Sequence, residues 1–394
     1  MKNNWETKTL GEVCDVVTGS TPKTSNKKFY GDFMMWAGPA DLDLDFYIVD
    51  TKKKLSQEGV VKGGVRVVPK NSVLMSCIGY IGKLGIAAED MATNQQINTF
   101  IPDNKILDSK FLFYQLKTKT EDFKKRSSKA TLAIINKTKC SEVSIEFPEL
   151  SEQKRIVGIL DEKFKAIEEL KKVTEAQIQD AKELFESRLN IIFGMNEENI
   201  LPLSDVCKIT SSKRVYKADY VKSGVPFYRT KEIKELAHNK QPTTELFIKR
   251  DSFDEITSKF GKPEAGDLML TAIGTIGEIY IVEDKDEFYF KDGNILWLKN
   301  IKGVTVGYLR YALNFFVKEI QSLAVGSAYK ALTIEKLNNH KIPVPKKEIQ
   351  NDTVKELDEL SIKTQELMEV FQNKIINLEE LKKSYLEQAF AGKL

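Results

Sequence analysis

This chain is written twice, and no other feature constrains its fold as strongly. Self-similarity at a long fixed interval marks a duplicated structural unit. Setting residue i against residue i+197 gives a gap-free correspondence through the back of each half. Phe111-Leu112-Phe113-Tyr114 falls on Tyr308-Leu309-Arg310-Tyr311, and Ile145-Glu146-Phe147-Pro148 falls on Ile342-Pro343-Val344-Pro345. Gln153 falls on Gln350, while Leu160, Leu170, Ile178, Leu184 and Phe193 fall on Leu357, Leu367, Ile375, Leu381 and Phe390. Nearer the start of each half the offset drifts by a few residues, as loop insertions would cause. Val73–Gly82 matches Leu268–Gly277, and Leu10–Cys14 matches Leu203–Cys207.

Each half opens with a mixed region, 1–150 or 197–346, that holds nearly all the glycine and proline. Short runs there have strand character: Val65–Val68, Ser72–Ile78, Gly266–Ile273, Glu278–Val282 and Ile295–Leu298. A helical stretch follows, 151–196 or 347–394, with Pro148 and Pro345 just upstream of it. Its apolar residues recur at three- and four-residue steps, the spacing of a narrow coiled-coil seam. The candidate seam and docking residues are Leu160, Ile167, Leu170, Ile178 and Leu184 in the first copy, and Leu357, Leu367, Phe371, Leu378 and Leu381 in the second. Gly194 stands where a left-handed helix cap belongs. Helices of about 43 residues would run ~65 Å, too long to bury a stripe against one small domain. The expected fold is therefore α+β: two mixed domains and two long helices packed as an antiparallel coiled coil, pseudo-two-fold symmetric, with one mixed domain at each end.

The 60 Lys and Arg against 57 Asp and Glu leave a net charge of only +3. By segment, residues 1–150 hold 22 basic and 18 acidic side chains and 197–346 hold 23 and 20, whereas the helical stretches have slightly more acids than bases. Mildly basic globular parts on a mildly acidic rod suit a polyanion at the domains and proteins along the helices. Two histidines, and four cysteines at positions 14, 77, 140 and 207, match no metal-site spacing or disulfide framework, so reduced thiols are expected. No apolar run nears the ~20 residues of a membrane span and no signal peptide is evident, so a cytoplasmic location is expected.

Catalytic signatures are missing. Cys77–Leu84 fails the phosphate-loop spacing, with Cys77 in place of the first glycine and Leu84 in place of the Ser or Thr that holds magnesium. The second copy has Glu278 where Lys83 stands, so a strand–turn–strand with Gly79 and Gly82 in the turn is the better reading. His238 and His340 have no counterparts and no nucleophile motif beside them. The DNA-methyltransferase motif of Asn or Asp followed by Pro-Pro and an aromatic is also missing.

Candidate nucleic-acid contacts lie in loops at equivalent positions. Thr21, Lys23, Lys27 and Lys28 belong to a basic, hydroxyl-rich loop before Phe29-Tyr30, and Lys213 and Arg214 belong to its counterpart. Such side chains contact phosphates. Met35-Trp36-Ala37 stands against Phe227-Tyr228-Arg229, with Lys231 close behind. Arg229 and Lys231 suit guanine edges or phosphates; Trp36 and Tyr228 suit either base contacts or the core. Tyr329 and Lys330 sit in a further loop that differs between the copies.

The whole chain resembles one family, the specificity (S) subunit of type I restriction–modification systems. The resemblance rests on Trp5, Leu10-Gly11-Glu12-Val13, Thr18–Lys23, Gly31–Trp36, Ile78–Lys83, Thr93–Asn98 and Pro148–Gln153, in that order. It implies that 1–150 and 197–346 are target recognition domains, each reading half of a bipartite double-stranded DNA sequence. The helical spacers 151–196 and 347–394 would set the half-site separation and dock two modification (methyltransferase) subunits. It also implies restriction/translocase subunits, with S-adenosylmethionine, ATP and Mg bound by those partners and none by this chain. Unlike loops predict unlike half-sites, hence an asymmetric target. One departure is Asp292-Gly293-Asn294-Ile295, where the first copy has Asn94-Gln95-Gln96-Ile97. The alternative is a coiled-coil scaffold whose globular ends bind peptides or proteins.

Overall fold

The computed structural model describes residues 4–43, 46–128, 132–194, 199–323 and 332–394, without the side chains of 318–323. The chain divides into two compact units: Met1–Glu175 with Asn373–Leu394, and Ala176–Gln372. The two cuts, after Glu175 and after Gln372, fall 197 residues apart, at the interval of the repeat.

In the first unit an antiparallel sheet runs in the order Cys14–Thr18, Ile97–Pro102, Val73–Ser76, Leu84–Ala87, and Tyr47–Ile48 adds a parallel edge. Strand alternation divides its side chains between two cores. Val73 and Met75 face the larger core with Phe100, Phe111 and Leu112, while Leu74 joins Ile48, Val68 and Ile97 on the other face. A smaller sheet carries Tyr30–Ala37, paired in parallel with Met91–Thr93. The second unit repeats this plan. Its sheet runs Lys208–Thr210, Ile295–Lys299, Leu268–Thr271, Ile279–Ile281, and Val225–Tyr228 pairs in parallel with Tyr289–Phe290. Leu268 and Leu270 face one core and Met269 the other.

Between the strands ending at Ser76 and Thr271 and their successors lies the same turn. Gly79 and Gly82, and Gly274 and Gly277, all have positive φ, which only glycine adopts cheaply. The Ser76 hydroxyl donates to the Tyr80 carbonyl and accepts from the Lys83 amide; Thr271 does the same with Thr275 and Glu278. These hydroxyls thus tie each turn to the strand before it, as a strand–turn–strand requires.

Helix α1 (Ser109–Thr118) covers the first sheet and leads, through Ser144–Phe147, to α2 (Leu150–Phe193). In the second unit α3 (Thr230–Ala237) follows the small sheet, α4 (Val306–Leu323) corresponds to α1, and α5 (Lys347–Phe390) corresponds to α2. Each long helix is held at its start by a buried glutamine. The Gln153 side chain accepts from the Asp108 amide (2.9 Å) and donates to the carbonyls of Ile106 (2.8 Å) and Pro148 (2.7 Å). Gln350 repeats this with Thr305, Gly303 and Pro345. A carboxylate two turns on adds a second tie: Asp161 accepts from the Tyr114 hydroxyl, and Asp358 from that of Tyr311.

Within each unit the long helices pair antiparallel. The first unit joins Lys171 to Glu379 (2.7 Å), Lys382 to Glu168 (2.8 Å) and Arg155 to the Leu394 carbonyl (2.7 Å). In the second, the end of α2 meets the start of α5 through Arg188 and Glu356 (2.9 Å) and through buried Leu189 and Leu357. Leu160, Ile167, Leu357 and Leu378 are buried. Ile178 and Phe371 are half-buried.

Leu170, Leu184, Leu367 and Leu381 correct the expected seam: they are 41–56% exposed. Each stands three residues after a buried position, Ile167, Ala181, Thr364 or Leu378, and so is rotated ~60° off the paired stripe. A second correction concerns Gly194, which is not among the positive-φ glycines; the left-handed cap occurs instead at Gly392 (φ 71°), after α5.

Candidate nucleic-acid interface

In the first unit the loop after Cys14–Thr18 is pinned from beneath. The Ser20 amide donates to the Thr93 carbonyl (2.8 Å), and the Thr21 hydroxyl donates to the Gln95 side chain. A Cβ at Gly19 would lie 2.3 Å from the Thr93 and Asn94 carbonyl oxygens, so the close approach requires glycine. Trp36 closes the underside, its indole N–H donating to the Ser20 carbonyl (3.2 Å) and its ring edge-on to Tyr30. Beyond this anchor Lys23, Lys27 and Lys28 are exposed, Lys27 and Lys28 on a short turn capped by Asn26. The loop thus presents ammonium groups on a fixed base, a geometry suited to phosphate oxygens.

The second unit anchors its loop on the equivalent run with different chemistry. Ser211 and Ser212 donate to the carbonyls of Ile295 (2.9 Å) and Phe290 (2.6 Å), and Arg214 pairs with Asp292 (2.9 Å). The Asp292–Ile295 departure therefore takes over the anchoring performed by Thr93–Gln96. Lys213 is exposed, its ammonium over the Phe260 ring.

Lys231 opens onto a cavity of about 600 Å³ lined also by Lys234, His238, Lys240 and the turn Ile273–Thr275. Glu278 approaches His238 (2.9 Å) and Lys234 (3.5 Å), and Glu245 approaches Lys231 (3.4 Å).

Three expected contacts have other occupations. Trp36 and Tyr228 are core side chains, 7% and 9% exposed, on equivalent rungs of the parallel strand pairs. Tyr228 stacks on Phe288 with ring centroids 4.5 Å apart, so neither aromatic offers a face to a base. Arg229 is committed to the buried Glu232 carboxylate (2.8 Å) and to Glu245 (3.1 Å), and these partners raise its pKa further. Tyr329 and Lys330 lie outside the described residues. Sequence reasoning missed Tyr80, 76% exposed at the tip of the Gly79–Gly82 turn with Lys83 against its ring. An aromatic and a lysine flanking a glycine turn were the available signal.

Of the two histidines, His238 pairs with Glu278 and His340 is packed against an aromatic ring. That ring is Phe316, and burial pushes the His340 pKa down to about 4. Burial also pushes the thiols of Cys14, Cys140 and Cys207 up to about 12 and that of Cys77 to about 11. Among the described residues no cluster of His, Cys, Asp and Glu could hold a metal, and no helix is long and apolar enough to cross a membrane.

Comparison with known proteins decides the family. The model of the type I restriction modification DNA specificity domain matches twice, over residues 2–179 and 196–377. The chain belongs to this family. The type I restriction enzyme MjaIX specificity subunit of Methanocaldococcus jannaschii is 28% identical over 58% of each chain, and the MjaVIII specificity subunit of the same organism is 26% identical over 95% of this chain and 92% of its own. The alignment to the HindI specificity subunit of Haemophilus influenzae, 31% identical, spans 39% of that protein, so several relatives are matched over less than two thirds of their length. Among solved structures, a chain from a study of complex assembly and conformational transition in the type I R-M system matches with TM-score 0.81 at 19% identity, covering 100% of this chain and 99% of its own. The HsdS subunit of Thermoanaerobacter tengcongensis matches with TM-score 0.62 at 18% identity, over 100% and 98%. These likenesses establish the α+β fold with its paired long helices.

Proposed function

We propose that the chain is the DNA-reading subunit of a type I restriction–modification complex, non-catalytic itself, and that 1–150 and 197–346 are target recognition domains for the two halves of an asymmetric bipartite site. The observation that carries this reading is one scaffold built twice with unlike exposed loops. The loop after the first strand exposes Lys23, Lys27 and Lys28 in one unit, beside the anchored Thr21, and Lys213 in the other, beside the Asp292-paired Arg214, while Lys231 lies in a separate segment of the second unit. A shared scaffold with different side chains at its surface is what reading two different half-sites requires.

Two methyltransferase subunits would dock on apolar side chains that the helix pairing leaves outside. Leu170, Val173, Ile376 and Leu381 are exposed in the first unit, and Leu184, Ile362, Leu367 and Val370 in the second. Exposed apolar groups of this kind mark protein contacts. S-adenosylmethionine would come with those subunits, and ATP and magnesium with restriction/translocase subunits.

The test is a salt titration of DNA binding by the assembled complex. A reader loses affinity linearly in log salt while keeping its preference for one sequence. Binding without sequence preference would point instead to a protein-interaction scaffold.

A further inference from the structure

The two units differ sharply in one cavity. In the first unit a cleft of about 1180 Å³ lies where α1 meets α2 and the end of α5. Its floor is aromatic, formed by Phe46, Tyr47, Phe113, Tyr114 and Phe164. Lys110 and Lys117 reach it from α1, and Lys165, Lys171 and Lys172 from α2. Lys382 and Lys383 complete the rim from α5, against four carboxylates, Asp43, Asp161, Glu168 and Glu379. Several ammonium groups rest on ring faces: Lys110 is 5.0 Å from the centre of Phe46, Lys117 is 5.5 Å from Phe113 and Lys382 is 5.3 Å from Phe164. Lys165 and Lys172 are exposed and make no ion pair among the described residues.

None of the seven lysines recurs in the second unit. At the 197-residue interval, Lys110 and Lys117 become Gly307 and Asn314, and Lys165, Lys171 and Lys172 become Ile362, Met368 and Glu369. Lys382 and Lys383 correspond to Phe185 and Glu186. By contrast Tyr114 and Asp161, which tie helix to domain, persist as Tyr311 and Asp358. The scaffold contacts are kept in both copies, and the basic rim is built in one.

We propose that this cleft is a docking site for an acidic peptide segment of a protein partner, present once per chain. Its net charge is positive, and its lysines stand around a concavity with an apolar floor, which fits alternating carboxylate and apolar side chains. A duplex backbone would need an open, carboxylate-free face, whereas four carboxylates line this one. The existing pairs are part-exposed and therefore contribute little, so an incoming carboxylate can replace them at little cost. The proposal deepens the partner-docking reading above and rests on it only for the existence of a protein partner.

The experiment titrates the full-length chain with a fluorescein-labelled peptide in which glutamate and leucine alternate, read by anisotropy and calorimetry. The expected result is saturable binding of one peptide per chain, weakened tenfold or more by Lys165→Glu with Lys172→Glu and unchanged by Lys363→Glu in the second unit. Lys165→Gln with Lys172→Gln should give an intermediate loss, and thermal melts verify that all variants fold. No saturable binding, two peptides per chain, or an unchanged affinity in the double variants would overturn the proposal. So would displacement of the peptide by an unrelated DNA duplex, which would make the cleft a phosphate surface. Sequence preference on DNA, measured with the same variants, should stay as in the parent; its loss would bear on the DNA-reading function separately.

Discussion

Replacing Arg229 by alanine should damage the fold of the second unit before it alters any DNA preference. The Glu232 side chain is 1% exposed, and its carboxylate is held by the Arg229 guanidinium at 2.8 Å. Removing one partner of a fully buried pair costs ~3–5 kcal/mol because a charge is left uncompensated. Here the Arg229 side chain is 32% exposed, and the Arg229 backbone amide still donates to Glu232 (2.8 Å) after the substitution, so ~2–3 kcal/mol is the expected loss. For a unit of this size that lowers the melting temperature by roughly 4–10 °C. Glu232→Gln in the same background removes the orphaned charge and should recover ~1–2 kcal/mol, a positive coupling in a double-mutant cycle. Calorimetric melts of the four proteins supply the numbers. An Arg229→Ala protein that melts with the parent and relaxes one half-site would refute this reasoning and make Arg229 a base reader.

Gln153→Leu removes three hydrogen bonds at the start of α2 and should cost the first unit ~2–4 kcal/mol; hydrogen exchange at the Asp108 amide should accelerate, and an unchanged rate would deny the tie. Leu381→Asp, at a position 41% exposed, should leave the melt within about 1 kcal/mol but abolish co-purification with the modification subunit. Leu378→Asp, at 8% exposed, should unfold the pairing, and equal destabilisation by both would contradict the division between seam and docking face. His340 is held neutral by burial, with its pKa depressed from 6.5 to about 4. The unfolded chain therefore binds the extra proton as pH falls below ~6.5, and about 3 kcal/mol of stability should be lost by pH ~4. His340→Phe should remove that slope from melts taken between pH 4 and 7, and a slope identical to the parent's would refute the assignment.

The helices were legible because glycine and proline are nearly absent from 151–193 and 347–391 while apolar residues keep a helical step. The observed spans, Leu150–Phe193 and Lys347–Phe390, follow that pattern closely. Which leucines fill the seam was not legible, since positions three apart differ by only ~60° and both are apolar. Gly194 misled because composition marks where a helix can end, not which conformation ends it. Trp36 and Tyr228 were ambiguous for a physical reason: an aromatic ring with a polar atom suits a core or an interface. Part of the anchoring of both loops rests on hydrogen bonds to the backbone carbonyls of Thr93, Phe290 and Ile295, which leave no side-chain signature. The basic cleft was invisible for another reason: its lysines come from three separated stretches and cancel in any segment count.

The central claim is that two unlike units read two unlike half-sites for a modification complex. Methylation mapping of host genomes with and without this gene tests it most directly. The account predicts that loss of the gene erases methylation at one bipartite motif with non-identical halves and a fixed gap. Unchanged methylation, or loss at a continuous or palindromic motif, would contradict it.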